Sequence, residues 1–477
     1  MSFISFHFLV LVLCLFFLYY MLPKKFQPYL LLLGNVYFYY KNSGKMLAIL
    51  IITALACYIF GILLGRKEGK RKKLILFLSV LCMLSPLFLF KYLNFSLQLL
   101  HIDITRSFII PMGISFYTLQ LIGYLVDIYR NKQLPEKNFF RFFLFVSFFP
   151  QILQGPIPRF EPLSQTLFTE HNFDEKNIAL GVQKIVWGLF FKFMIASKAA
   201  LFVDDIFNSQ ESIAGSLYLI AGILYSFQLY ADFLSCVLLS QGVSLLFGIK
   251  LGENFAQPYF SVSIKDFWHR WHISLSSWLK DYIYIPLGGN RKGKLRTNVN
   301  LLFTFLISGL WHGAGIKYIF WGLLHGGYQI TGKYTLPLRN RFYAKLTAFH
   351  KVRPIIQRIT TFFFVTLAWI IFRADSLNAG LHAYRAILFD FRITDLFHKD
   401  LFFRSLPMPE FLLLLLTMIF LLYWDFLMEQ EKGFIYKILK KRTVIRLACS
   451  ILLLLIIAVF GTYGYGYDAS TFIYGGF

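Results

Sequence analysis

Apolar stretches long enough to cross a bilayer recur along nearly the whole 477-residue chain. A membrane-crossing helix takes about 17 to 25 residues. Clear candidates occupy 3–22, 46–64, 74–92, 214–235, 355–373, 410–428 and 446–463, and less regular ones 27–41, 108–127, 139–155, 178–203, 299–311 and 312–332. Counted together they predict about eleven to thirteen hydrophobic helices, some of them re-entrant. The fold class is therefore an all-α polytopic integral membrane protein. Composition agrees, with hydrophobic residues at 57% and charged residues at 15%, against roughly 25% charged in ordinary globular proteins. So little charge could not cover so much apolar surface in water, and disordered, collagen-like and secreted disulfide-framework chains are excluded.

Lys and Arg outnumber Asp and Glu 48 to 24, a formal charge of +24. In a soluble protein that excess would suggest nucleic acid, but here the basic residues fall in short loops between apolar runs. Topology signals and anionic headgroups account for them there, and no aromatic–basic module for nucleic acid is visible. The five cysteines, Cys14, Cys57, Cys82, Cys236 and Cys449, show no CxxC spacing and read as small hydrophobes. No basic residue precedes the first apolar run, as it would in a signal peptide, so that run reads as a retained span. Lys24 and Lys25 follow it, placing the N-terminus outside and the first loop in the cytoplasm. Two further segments then return the chain to the cytoplasm at Arg66–Lys73, its densest basic run, which agrees with that orientation. With no internal repeat or low-complexity linker, residues 1–477 read as one integral membrane domain.

The middle of the chain breaks the pattern. Between Gly248 and Gly293, polar and aromatic residues mix with Pro258, Pro286 and Gly288-Gly289. Over 264–285 the positions Trp268, Trp271, Leu275 and Trp278 follow helical spacing, which predicts one amphipathic helix. Such a helix would lie in the headgroup layer; irregular backbone at membrane depth must instead be buried in protein or line a cavity.

His269, His272, His312 and His325 cluster in or just beyond this region. An ionisable side chain within a membrane segment is a functional hypothesis by default, although a single histidine can equally be a hydrogen-bonded structural residue. His269 and His272, at i and i+3, would share a helix face. Metal binding is not expected, because Asp266 and Asp281 are the only carboxylates between Ile264 and Leu310 and no HExxH or Cys/His framework occurs. His312 stands in Leu310-Trp311-His312-Gly313-Ala314-Gly315, where glycines let backbone approach a ligand. His325 lies thirteen residues on. On one straight helix that is roughly 20 Å and over 200° of rotation away, so the two meet only if the helix breaks between them. This makes His312 the catalytic candidate and His325 the structural one. A neutral imidazole can take the proton of an attacking hydroxyl. No Ser occupies a GxSxG elbow and no acidic triad partner stands out, so a His-assisted direct attack on an acyl donor suits these residues better than a covalent Ser mechanism.

The run Phe267-Trp268-His269-Arg270-Trp271-His272-Ile273-Ser274-Leu275-Ser276, continuing through Trp278-Leu279-Lys280-Asp281-Tyr282 to Ile285-Pro286-Leu287-Gly288-Gly289-Asn290-Arg291, closely resembles the signature of bacterial membrane-bound O-acyltransferases. Gly309-Leu310-Trp311-His312-Gly313-Ala314 and Trp321-Gly322…His325-Gly326 are similar to that family's second block. Pro111–Thr118, Asp127–Arg130, Phe149-Pro150-Gln151 with Gly155-Pro156-Ile157, and Trp369–Ala374 also agree, so the resemblance spans nearly the whole chain. It implies a multi-helix enzyme with a central funnel or tunnel and a catalytic core at about 108–375, with His312 catalytic and His272 lining the same region. Arg270, Trp271, Asp281 and Asn290 are second-rank candidates for binding substrate or shaping the site.

The resemblance is strongest to the subgroup that O-acetylates alginate, peptidoglycan and other envelope polysaccharides. It implies acetyl-CoA as acyl donor with no permanently bound cofactor, a polysaccharide acceptor, and an extracytoplasmic partner acetyltransferase, at the cell membrane. Two stretches depart from the family pattern. After Tyr230-Ala231-Asp232-Phe233, where relatives turn through Ser-Gly and a further acid, this chain has Leu234-Ser235-Cys236-Val237-Leu238-Leu239, which withdraws a polar role from that turn while leaving Asp232. The ending Phe472–Phe477 departs from the usual aromatic-Gln-Phe. The competing readings are D-alanyl transfer to teichoic acid, a transporter, which would show repeats with paired broken spans, and a non-catalytic partner subunit.

Overall fold

The computed structural model describes residues 2–102, 108–209, 211–345, 352–398, 403, 405–430, 434–439 and 441–463; the C-terminal 472–477 stretch singled out above lies outside them. Among the described residues the architecture is helical without a β-strand, and the sole extended pairing is an isolated antiparallel bridge between Phe255 and Trp271. The helices are α1 (Phe6–Met21), α2 (Gln27–Ser43), α3 (Leu47–Arg66), α4 (Gly69–Leu87), α5 (Ile114–Tyr129), α6 (Phe139–Ser147), α7 (Glu175–Phe191), α8 (Ser197–Phe207) and α9 (Gly215–Leu246). They continue with α10 (Ile264–Arg270), α11 (Ile273–Leu279), α12 (Gly293–His312), α13 (Ile316–Lys345), α14 (Arg353–Arg373), α15 (Leu377–Phe389), α16 (Met408–Glu429) and α17 (Thr443–Phe460), with short helical turns between them.

Among the described residues, seven helical stretches are long and apolar enough to cross a membrane: Lys24–Arg66, Gly69–Leu99, Glu175–Phe207, Gly215–Leu246, Arg353–Arg373, Met408–Glu429 and Thr443–Phe460. The first holds both α2 and α3. The larger number expected from sequence includes helices such as α1, which is short, and α12 and α13, whose buried Asn300, Thr304, His312 and His325 make them more polar. The protein is a multi-pass membrane protein.

The chain divides into two compact units. Among the described residues, one comprises those up to Ile185 with Cys236–Glu253, the other Val186–Ser235 with those from Asn254 to Tyr463. In the first, α3 packs on α4, α5 and α6, and α2 packs on α6. The expected 139–155 helix stops at Ser147, because Pro150 follows three residues later and the chain bends at Phe148. A break at such depth frees backbone groups that water cannot satisfy. Fully buried Asn35 on α2 meets that need: its Oδ1 accepts the Phe149 N–H at 3.0 Å while its Nδ2 donates to Ser147 Oγ at 3.2 Å.

The second unit is built around the hairpin of α12 and α13, with α14 packed on α13, α15 on α14, and α10 against α13. Two glycines set the hairpin's closeness. A Cβ on Gly309 would stand 2.1 Å from the Tyr318 carbonyl oxygen, and one on Gly322 would stand 2.2 Å from that of Phe305. Aromatic rings fill the interior: Trp271, Trp321 and Trp369 are completely buried, and Trp321 stacks on Trp369 with centroids 5.5 Å apart.

The Tyr230–Leu239 stretch expected as a turn is the uninterrupted middle of α9, since the leucines and Val237 replace turn formers with residues a helix accepts. Asp232 keeps a polar role there, as its Oδ1 accepts from Lys192 Nζ at 2.7 Å inside the unit. Lys192 sits on a π-helical turn, Lys192–Ala196, between α7 and α8. Removing one partner of a buried pair strands the other charge at a cost of about 3–5 kcal/mol. Asp232→Ala is therefore expected to lower the melting temperature in detergent strongly, and the double variant Lys192→Met with Asp232→Leu to recover most of it.

Candidate functional site

The 264–285 segment is neither one helix nor a surface element. α10 ends at Arg270, His272 takes a left-handed backbone conformation (φ 46°, ψ 55°), and α11 restarts at Ile273. The positions expected to form a single apolar stripe, Trp268, Trp271, Leu275 and Trp278, are all buried, on both sides of the break. His269 and His272 consequently share no helix face; His269 is exposed and His272 has no exposed surface.

A left-handed non-glycine residue costs about 1–3 kcal/mol and persists only where surrounding structure over-determines it. The segment 254–256 does so here. The Asn254 carbonyl accepts the Ile273 N–H at 3.0 Å, its side-chain oxygen accepts that of Ser274 at 3.2 Å, and the Ala256 N–H donates to the Arg270 carbonyl at 3.0 Å. The His272 carbonyl accepts the Ser276 N–H at 2.9 Å, opening α11. Burial disfavours the charged form of the His272 imidazole and pushes its pKa down. Asn254→Ala removes the acceptor for Ser274 in the manner of a lost helix cap, and is expected to cost about 0.5–2 kcal/mol, measured as a lowered melting temperature.

His312 ends α12. The helix then breaks through Gly313–Gly315, and α13 returns alongside. This break changes the relation expected between His312 and His325: folded back, both pack edge-on against Trp321, with centroids 5.1 and 4.9 Å away. His312 also meets Trp311 at 4.9 Å and Phe372 at 5.4 Å. His272 meets the opposite neighbour of the same series, with Trp311 at 5.7 Å, and Phe233 of α9 at 4.8 Å. The order His272, Trp311, His312, Trp321, His325 is thus one run of buried imidazoles separated by single indoles.

His325 is held as a strut. Its Nδ1 accepts from the Trp268 indole N–H at 3.3 Å, tying α13 to α10, and Phe267 and Phe305 stack on it. Trp271 is enclosed by Phe267, Phe255, Tyr230, Tyr259 and Trp369. Arg270 spends its guanidinium on Asp266, Glu429 and the Ala256 carbonyl. Asp281 is half-buried on the π-helical turn Lys280–Tyr284. Asn290 is exposed, in a turn whose Leu287 and Gly289 carbonyls accept from Asn300 at 3.3 and 3.0 Å. Of the candidates chosen from sequence, the fold brings together His272, His312 and Trp271, and leaves Asn290 apart. Phe233, Trp321 and Phe372 stood in quoted motifs without a role, and Asn254 and Glu429 were missed, because their roles depend on contacts far along the chain.

The α10–α11 segment is thus buried in the protein rather than resting on a bilayer surface, and two helix breaks gather its His272 with His312 and His325 around shared indoles. Comparison with known proteins identifies the kind of enzyme. The family model of MBOAT, the membrane-bound O-acyltransferase family, matches residues 36–374, which include all three histidines of the run and both of its indoles. The chain belongs to that family and is an acyltransferase. It is 33% identical to a probable alginate O-acetylase of Pseudomonas syringae pv. tomato, over 87% of this chain and 80% of that protein. It is 36% identical to a peptidoglycan O-acetyltransferase of Helicobacter pylori, over 75% of this chain and 73% of that one. A teichoic acid D-alanyltransferase of Bacillus subtilis is 31% identical over 62% and 76% of the two chains.

Proposed function

We propose that this enzyme moves an acetyl group from cytoplasmic acetyl-CoA to hydroxyls of a cell-envelope polysaccharide, directly or through an extracytoplasmic partner transferase, with His312 as general base. The observation that carries the reading is the placement of His312 at the broken end of α12, with His272 against the other side of Trp311. In the reaction, an imidazole nitrogen of His312 takes the acceptor hydroxyl's proton as its oxygen attacks the thioester carbonyl carbon. Collapse of the tetrahedral intermediate breaks the C–S bond, the imidazolium returns the proton to the departing thiolate, and an ester and a free thiol result. His272, neutral and held by a strained backbone, positions a reactant or handles a second proton. Trp271 shapes the wall behind it, and Asp281 and Asn290 remain candidates for substrate contact.

Acetyl is preferred over D-alanyl because the relatives named for O-acetylation match more of this chain than the D-alanyltransferase does. The basic stretches Arg66–Lys73 and Arg291–Arg296 suit a polyanionic donor on the cytoplasmic face of the plasma membrane, with the N-terminus outside. Isotope-labelled acetyl-CoA supplied to inside-out and to right-side-out vesicles tests the donor and its side. Base-labile label in envelope material from inside-out vesicles alone is expected; transfer from right-side-out vesicles alone would reverse the direction.

A further inference from the structure

Arg270 is two residues before His272, in a motif where a basic side chain would be expected to face an anionic substrate. Its guanidinium is instead already engaged on three sides. Nη1 donates to Glu429 Oε2 at 2.7 Å and Nη2 to Glu429 Oε1 at 3.2 Å, a forked pair across 159 residues of sequence. Nε donates to Asp266 Oδ1 at 3.0 Å, one helical turn back on α10, and Nη1 also reaches the Ala256 carbonyl at 3.3 Å. Those contacts occupy most of the five N–H donors that a guanidinium offers. The backbone of the same residue accepts from Ala256, so side chain and main chain of Arg270 both grip the segment that stabilises the left-handed His272. Glu429 is the last residue of α16. The pair therefore ties the end of a membrane-crossing helix to the break beside the site. The side chains are about a quarter exposed, at 23% and 28%, so solvent screens the charge. The fork supplies geometry that a point charge could not.

We infer that Glu429 is a positioning residue, which through a two-pronged grip on Arg270 locks the α10–α11 break and holds the His272 imidazole in its buried place. This rests on the reading of His272 as part of the site. Neither Arg270 nor Glu429 is assigned contact with the acyl donor or acceptor.

The test reads the position of the ring independently of activity. Full-length protein in lipid nanodiscs is treated briefly with diethyl pyrocarbonate, which modifies accessible neutral imidazoles, and carbethoxylation of each histidine is quantified by mass spectrometry. In the wild type His272, His312 and His325 should be shielded and His269 modified. Glu429→Ala and Arg270→Lys are expected to raise His272 modification several-fold while His312 and His325 stay shielded, and the exchange Arg270→Glu with Glu429→Arg to restore part of the shielding. Glu429→Gln, which keeps the side chain's volume and loses its charge, should give a smaller rise in the same residue and decides the matter if Glu429→Ala does not fold. No rise at His272 in any variant, or an equal rise at all three buried histidines, would overturn the proposal. His272→Ala in the transfer assay is the separate check: retained transfer there, with selective exposure in the Glu429 variants, would leave the clamp standing and remove His272 from the reaction.

Discussion

His312→Gln is expected to reduce acetyl transfer by about 10²- to 10⁴-fold, the usual contribution of a general base, with little change in melting temperature. Glutamine keeps much of the imidazole's volume and can hydrogen bond, but it cannot take a proton near neutral pH. The ring it replaces is enclosed by Trp311, Trp321 and Phe372, so a smaller side chain would confuse loss of chemistry with loss of packing. Initial rates in vesicles at matched protein abundance make the comparison. His325→Gln should behave differently. That position anchors α13 to α10 through the Trp268 indole, so its loss should appear mainly as reduced stability. A His312 variant within a few-fold of wild type would place the base elsewhere.

Gly322→Ala and Gly327→Ala, on the same helix, are expected to shift stability in opposite directions. At Gly322 the new Cβ would stand 2.2 Å from the Phe305 carbonyl oxygen and 3.3 Å from Gly309 Cα. Both obstacles are backbone, so α12 and α13 must separate. Overpacking of this kind costs about 1–3 kcal/mol, occasionally more, and it moves Trp321 away from His312, so transfer should fall with stability. At Gly327 a Cβ meets nothing within 4 Å, and replacing a helical glycine by alanine gains up to about 1 kcal/mol. Thermal unfolding in detergent of the two variants beside wild type measures both shifts. A Gly322→Ala protein as stable as the Gly327→Ala protein would mean that close helix contact does not hold the hairpin together.

These two sites also mark how far the sequence could be read. Hydropathy located the spans, because a bilayer demands length and apolarity and little else. Helical periodicity failed across Trp271–His272: Trp268, Trp271, Leu275 and Trp278 keep their spacing through the break, since both flanking helices bury their apolar positions. Nothing local signals that break; it is stabilised by Asn254, remote from any helix stripe. The Gly313–Gly315 interruption was visible, but not that the chain would fold back to share Trp321 between His312 and His325. Leu234–Leu239 misled in the other direction, because a turn was carried over from relatives onto residues that simply continue α9. Glu429 carried no signal at all, since nothing in the sequence distinguishes it from Glu410 and Asp425 on the same helix as the partner of Arg270.

The most direct test of the central claim is the ester-linked acetate that mild base releases from the cell envelope. A strain lacking this protein would be complemented with wild type or with His312→Gln at equal membrane abundance, and the envelope fractionated by polymer. The expected result is acetate restored to one polysaccharide fraction by wild type and not by the variant. Equal acetate from both strains would contradict the role of His312, and no acetate from either would contradict acetyl transfer to the envelope.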